Sequence, residues 1–175
     1  MRQAILLLLL ALLPALPPAA AQGVDAYRLS AGDRVRIAVF GEPDLSVTLR
    51  IDGSGDISYP LLGELHVEGL TSEGLEQLIT GRLKGPYLVD PKVSVSIDQY
   101  REFFIMGQVN RPGSYPYMPG LTVRKAISIA GGFTEIAARG KLYLIPETFP
   151  QHERRVQPTT AVGPGDTVVV KESLF

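Results

Sequence analysis

The chain has 175 residues, with 17 basic and 18 acidic side chains, two histidines and no cysteine. A near-neutral balance without a basic block excludes the clustered Lys and Arg that nucleic-acid binding depends on. The missing thiols exclude a disulfide framework, a thiol nucleophile and a zinc–thiolate site within these residues.

The opening "MRQAILLLLLALLPALPPAAAQG" places Arg2 before an apolar run from Ala4 to Leu13, followed by small residues ending at Ala21. The run is about half of the roughly 20 residues a membrane-spanning helix needs. It has the layout of a secretory signal peptide over 1–21, cleaved after Ala21. The mature chain is therefore expected in the periplasm, without a lipid anchor because no cysteine is available to carry one.

After a turn at Ala31 to Asp33, Val35, Ile37 and Val39 alternate with polar residues, as in a half-buried strand. Val47, Leu49 and Ile51 repeat the pattern, and "DGSGD" (52–56) then leads to Ile57 and Tyr59. These two strands are expected to close as a hairpin at "DGSGD", with Pro60 ending the pairing. The period changes at Gly69-Leu70-Thr71: Leu75, Leu78, Ile79 and Leu83 recur at helical spacing, Thr71 is placed to cap the first turn, and Gly85-Pro86 stops the helix. Leu70 is placed to pack on Leu75 as a hydrophobic staple. Val93, Val95 and Ile97 then form the inward face of a strand whose outward residues are Ser94, Ser96 and Asp98.

From Arg101 a second unit starts with the strand "REFFIMGQV". Asn110 to Gly113 form a turn in which Gly113 can take a positive φ, and Ser114 to Tyr117 form a return strand, with Pro116 at an edge or bulge. Gly120-Leu121-Thr122 repeats the first helix entry, with Ala126, Ile129 and Ala130 on the inner face and Gly131-Gly132 as the terminating cap. "KLYLIP" is a further short strand, 147–160 a polar loop that includes the solvated run "HERR", and "GPGDTVVVKESLF" a closing Val-rich strand. The fold class is α+β, in two mixed modules at 22–100 and 101–175. Modules this small bury only about 60% of their unfolded surface, so they are expected to dock on each other or on neighbouring subunits.

No stretch announces catalysis. Asp52, Ser54 and Asp56 have the alternate spacing of a calcium loop, but Ile57 stands where the sharp-turn glycine belongs and Gly63 where the bidentate glutamate belongs. Gly131-Gly132 follow a helix, whereas a phosphate cradle precedes one. His66 and His152 lack neighbours at metal-ligand spacing, no Gly-x-Ser-x-Gly elbow is present, and Asp33, Glu42, Asp44 and Glu64 form no acid–base pattern. The expectation is a non-enzyme without cofactor or metal.

The ordered motifs resemble the Wza-like outer-membrane polysaccharide export family. Tyr27-x-Leu29-x-x-Gly32-Asp33, the run "DGSGDISYPLLG", the Gly-Leu-Thr helix start and Asp90-Pro91-x-Val93-x-Val95 are similar to its export domain. Gly107-x-Val109-x-x-Pro112-Gly113-x-Tyr115, Ala130-Gly131-Gly132-Phe133 and Gly165-Asp166-x-Val168-x-Val170 are similar to its soluble-ligand-binding (SLBB) β-grasp domain. Larger members carry a lipidated N-terminal cysteine, further β-grasp copies and a C-terminal pore helix. The resemblance therefore implies a short form that needs a separate channel.

It also implies a homo-oligomeric ring carrying a capsular or extracellular polysaccharide between an inner-membrane co-polymerase and an outer-membrane β-barrel, with association to the outer membrane through those partners. A free carbohydrate-binding module is the alternative. Tyr115 and Tyr117 point to one side of an extended segment and suit either a sugar platform or packing in the core or against a subunit, and Arg111 could meet an acidic sugar.

Overall fold

The computed structural model describes residues 27–173. The signal-peptide reading at 1–21 lies outside them. The order of elements is β1 (Arg34–Val39), a short 3-10 helix (Pro43–Leu45), β2 (Val47–Arg50), β3 (Asp56–Tyr59), β4 (Gly63–His66), α1 (Ser72–Leu83), β5 (Val93–Gln99), β6 (Phe103–Gly107), β7 (Gly113–Tyr115), α2 (Val123–Ile129), β8 (Ala137–Ile145), β9 (Arg154–Arg155) and β10 (Thr167–Glu172). The chain is α+β.

In the first module β1 lies between β2 and β5, antiparallel to both, while β3 and β4 form a separate two-stranded sheet. Alternation on β1 buries Val35, Ile37 and Val39. These pack with Ile51, Ile57, Tyr59, Leu65 and the buried stripe Leu75, Ile79 and Leu83 of α1. Thr71 accepts a hydrogen bond from the Gly74 amide at 3.0 Å, satisfying one of the donors that a helix start leaves free.

The expected hairpin across "DGSGD" does not form. The turn itself is present, since the Asp52 amide donates to the Asp56 carbonyl at 3.0 Å. Beyond it the strands part: β2 returns to β1, and β3 turns over Pro60 to pair with β4. Pro60 therefore opens a hairpin instead of ending one. The Leu62 amide donates to the Tyr59 carbonyl at 3.2 Å, and Leu61 takes φ 65°, a conformation costly for a branched side chain.

The second module is a five-stranded mixed sheet in the order β7-β6-β10-β8-β9, with β10 parallel to β6 and antiparallel to β8. Phe103, Ile105, Leu142, Leu144, Val168 and Val170 of the sheet and Val123, Ala126, Ile127 and Ala130 of the α2 region form its core. Ile129, expected on that inner face, is half-buried at its edge. Helix α2 ends in a Schellman arrangement: the Gly132 amide donates to the Ile127 carbonyl at 2.8 Å and the Gly131 amide to Ser128 at 3.1 Å.

Three local expectations change. Gly113 takes the expected positive φ, at 156°, but as the first residue of β7 opposite Ile105 and not inside a type II turn. The Asn110–Arg111 segment is instead fixed by long-range bonds, the Asn110 amide to the Gly132 carbonyl and the Arg111 amide to Ala130. The return strand ends at Tyr115, one residue before Pro116, which has no amide to donate. Arg154 and Arg155 of "HERR", expected in a loop, form β9 opposite Leu144 and Tyr143, and both are exposed.

Candidate functional site

The modules meet around Asp33, which the turn before β1 holds with no exposed surface. One carboxylate oxygen accepts from the Tyr27 hydroxyl at 2.6 Å and the Ser30 amide at 3.0 Å; the other accepts from the Arg101 amide at 2.8 Å. The Arg101 guanidinium also approaches Asp33 at 3.4 Å, donates to the Tyr27 hydroxyl, and donates through Nε and Nη2 to Glu147, beyond β8. Withdrawing a carboxylate from water is costly unless charge and hydrogen bonds compensate, and here both do.

Burial, followed by the bond to Asp33, pushes the Tyr27 hydroxyl well above the usual tyrosine range, so it stays a donor. Burial alone would lower Arg101. The Glu147 hydrogen bond, with the Tyr27 and acidic neighbours, outweighs it and raises the guanidinium above its ordinary value. Gly165 makes room for this arrangement: a Cβ there would fall 2.2 Å from the Glu147 carboxyl carbon.

An aromatic chain crosses the same junction. Tyr27 meets Tyr100 edge-on at 4.9 Å between ring centres, and Tyr100 meets Tyr117 at 5.4 Å. Tyr117 is thus packed at the junction, where burial raises its hydroxyl pKa. Tyr115 stacks on Phe103 at 5.9 Å and donates to the Arg111 carbonyl at 2.6 Å, inside the second module. Arg111 donates to the Ile129 carbonyl at 3.3 Å, at the C-terminal end of α2. The structure therefore separates the three residues read together from the sequence into a junction contact, a core contact and a helix-end contact.

Of the remaining sequence candidates, Asp52, Asp56 and the two histidines are engaged locally. The Asp52 carboxylate accepts from the Asp56 and Ser54 amides at 2.9 and 2.8 Å, which hold its pKa below the usual range. Asp56 meets His66 Nδ1 at 2.8 Å, and His152 stands edge-on to Phe149 in the other module. Asp44 lies in the 3-10 helix and Glu64 in β4, both exposed.

Beside the junction is a cleft of about 530 Å³, lined by Gly32, Arg34, Arg50 and the β5 residue Gln99 of the first module and by Tyr100 to Glu102 of the joining segment. Arg34 and Arg50 stand directly opposite each other on β1 and β2, both exposed, and neither forms a salt bridge with another described residue. Two residues along, Arg36 pairs with Asp98 at 3.1 Å. Sequence reasoning missed Arg34, Arg50 and Arg101. The alternation on β1 shows that Arg34 and Arg36 face outward, but which strand lies opposite depends on register.

Residues 21–98 match the family model described as polysaccharide biosynthesis/export protein, and residues 103–156 match the SLBB domain model. The chain belongs to the polysaccharide export family. The exopolysaccharide production protein ExoF of Rhizobium meliloti is 36% identical over 137 residues, covering 70% of this chain and 32% of that protein. Two Escherichia coli proteins named polysialic acid transport protein KpsD are 27% and 26% identical over 108 residues, covering 61% of this chain and 19% of each. The chain thus spans a third or less of the length of these relatives. Tyr100 and Arg101, which hold the junction, fall between the two matched regions.

Proposed function

We propose that the chain is a periplasmic component of a polysaccharide export conduit, a ring-forming subunit that couples an inner-membrane co-polymerase to a separate outer-membrane β-barrel. The observation that carries this reading is the export module and the SLBB module occurring in order and joined through Asp33, Arg101 and Glu147. Passing a finished polymer requires no bond chemistry. It needs a wall whose polar groups exchange hydrogen bonds with a hydrated chain, and a non-enzymatic role agrees with relatives named for production and transport.

Ring packing is supported by large apolar side chains left open at one end of the first sheet. Phe40 follows β1 and is 86% exposed, and Val89 precedes β5 and is 90% exposed. A neighbouring subunit would remove such surface from water. Light scattering on the mature protein, alone and with its co-polymerase, is expected to show a closed oligomer. A chain that stays monomeric with its partner would overturn the ring.

For Arg111, Tyr115 and Tyr117 the proposal is packing within and between modules, and not a sugar platform. Its support is the set of aromatic and hydrogen-bond contacts each already makes. Tyr117→Ala is expected to leave affinity for the exported glycan unchanged in titration. A marked loss would restore the platform and the alternative of a free carbohydrate-binding module.

A further inference from the structure

We propose that Arg34 and Arg50 form an oxyanion site for an acidic substituent, a carboxylate or a sulfate or phosphate ester, on the polysaccharide that the chain helps to export; the proposal rests on that export reading. Like charges placed directly opposite on neighbouring strands destabilise a sheet, and Arg34 faces Arg50 in this way. On the same face, Arg36 has Asp98 as its counter-ion. The Arg34–Arg50 repulsion has no such relief from a described residue, and a bound anion would supply it.

The surroundings suit a sugar. Guanidinium groups present planar forks of donors that match a carboxylate or a sulfate. The third cation of the cleft, Arg101, is already committed to Asp33 and Glu147, so it shapes the wall and leaves anion capture to the other two. Gly32 keeps the floor open: at φ 93°, a Cβ there would lie 3.2 Å from the Arg101 Cβ and 3.9 Å from Arg50 Nη2. Gln99 stands opposite Arg34, and Thr48 and Ser96 flank Arg36 on the two neighbouring strands. The two cations therefore continue into a row of hydroxyl and amide groups able to bond sugar hydroxyls. Glu102 also lines the cleft and repels an anion near it, which favours the Arg34–Arg50 side.

Both arginines are exposed, so binding is screened by salt and exchanges quickly, as a polymer in transit requires. An acidic surface of a second copy could also meet this pair, but the hydroxyl and amide row fits a hydrated glycan better than a dry subunit contact.

Titrating the mature protein at low salt with tetragalacturonate, cellotetraose and sodium sulfate, read by calorimetry, tests the site. Tetragalacturonate should bind more tightly than cellotetraose or sulfate and should weaken in about 0.5 M salt. The double variant Arg34→Gln, Arg50→Gln should bind it at least about tenfold more weakly, while its Tm stays level or rises because the repulsion is gone. Unchanged binding by the variant would overturn the site. Sulfate binding as tightly as tetragalacturonate would make it a small-anion site and overturn the glycan assignment. An altered oligomeric state with unaltered tetragalacturonate binding would reassign the pair to a subunit contact. These outcomes are read on purified protein, so their failure leaves the export reading standing. Normal export in cells lacking the gene would sink that reading instead.

Discussion

Helix α1 of the export module and helix α2 of the SLBB module are entered through the same Gly-Leu-Thr sequence, and Thr71 and Thr122 each accept a bond from the amide three residues on. Yet α1 runs for 12 residues and α2 for seven. In α1 the buried stripe is Leu75, Ile79 and Leu83, large side chains that fill the space over the sheet for three turns. In the α2 region Ala126 and Ala130 let the backbone come close, and Gly131-Gly132 end the helix early.

The sheets beneath differ as well: the central β1 is antiparallel to both its neighbours, while β10 is parallel to β6 and antiparallel to β8. The shared entry is therefore local capping chemistry set into two different topologies. Local chemistry starts a helix; what it packs on decides how far it goes.

The contact the modules share gives the largest expected effect. Asp33→Ala leaves Arg101 partly buried with half its compensation removed, and should cost about 3–5 kcal/mol in denaturant unfolding. A loss within about 0.5 kcal/mol, the range of an ordinary surface change, would mean that the modules are independent.

Leu75 and Ala126 occupy the same place, four residues after their capping threonines, and sharpen the contrast between the helices. Leu75→Ala should cost about 2–5 kcal/mol through a cavity, while Ala126→Gly should cost about 1 kcal/mol through helix propensity. Equal costs would contradict the packing difference.

The smallest effect separates the junction by pH. Tyr27 has its pKa raised in the folded state, so its contribution is complete below the unfolded value near 10 and is lost as pH rises above it. Tyr27→Phe should make the stability of the protein fall less steeply between about pH 9 and 11, measured as Tm against wild type. An unaltered slope would detach Tyr27 from the junction.

What could be read from the chain follows the same division. The alternation at Val35, Ile37 and Val39, the capping threonines and the Gly-Gly stop depend on near neighbours, and each is present in the fold. The "DGSGD" turn was legible too, but the partners of β2 and β3 were not, because pairing is chosen by the packing of whole faces. Strand β4 escaped notice because "GELH" buries a single side chain, Leu65. Asp33 was visible as one of many carboxylates; its role required Arg101, 68 positions later. The Arg34–Arg50 opposition required the β1–β2 register.

The proposed role of the chain is the passage of finished polysaccharide. The direct measurement is to delete its gene and quantify polymer at the cell surface and in the periplasm, with and without the wild-type chain restored. The account predicts depleted surface polymer with retention inside the envelope, reversed by the restored chain. Surface polymer at the wild-type level in the deletion strain would contradict it.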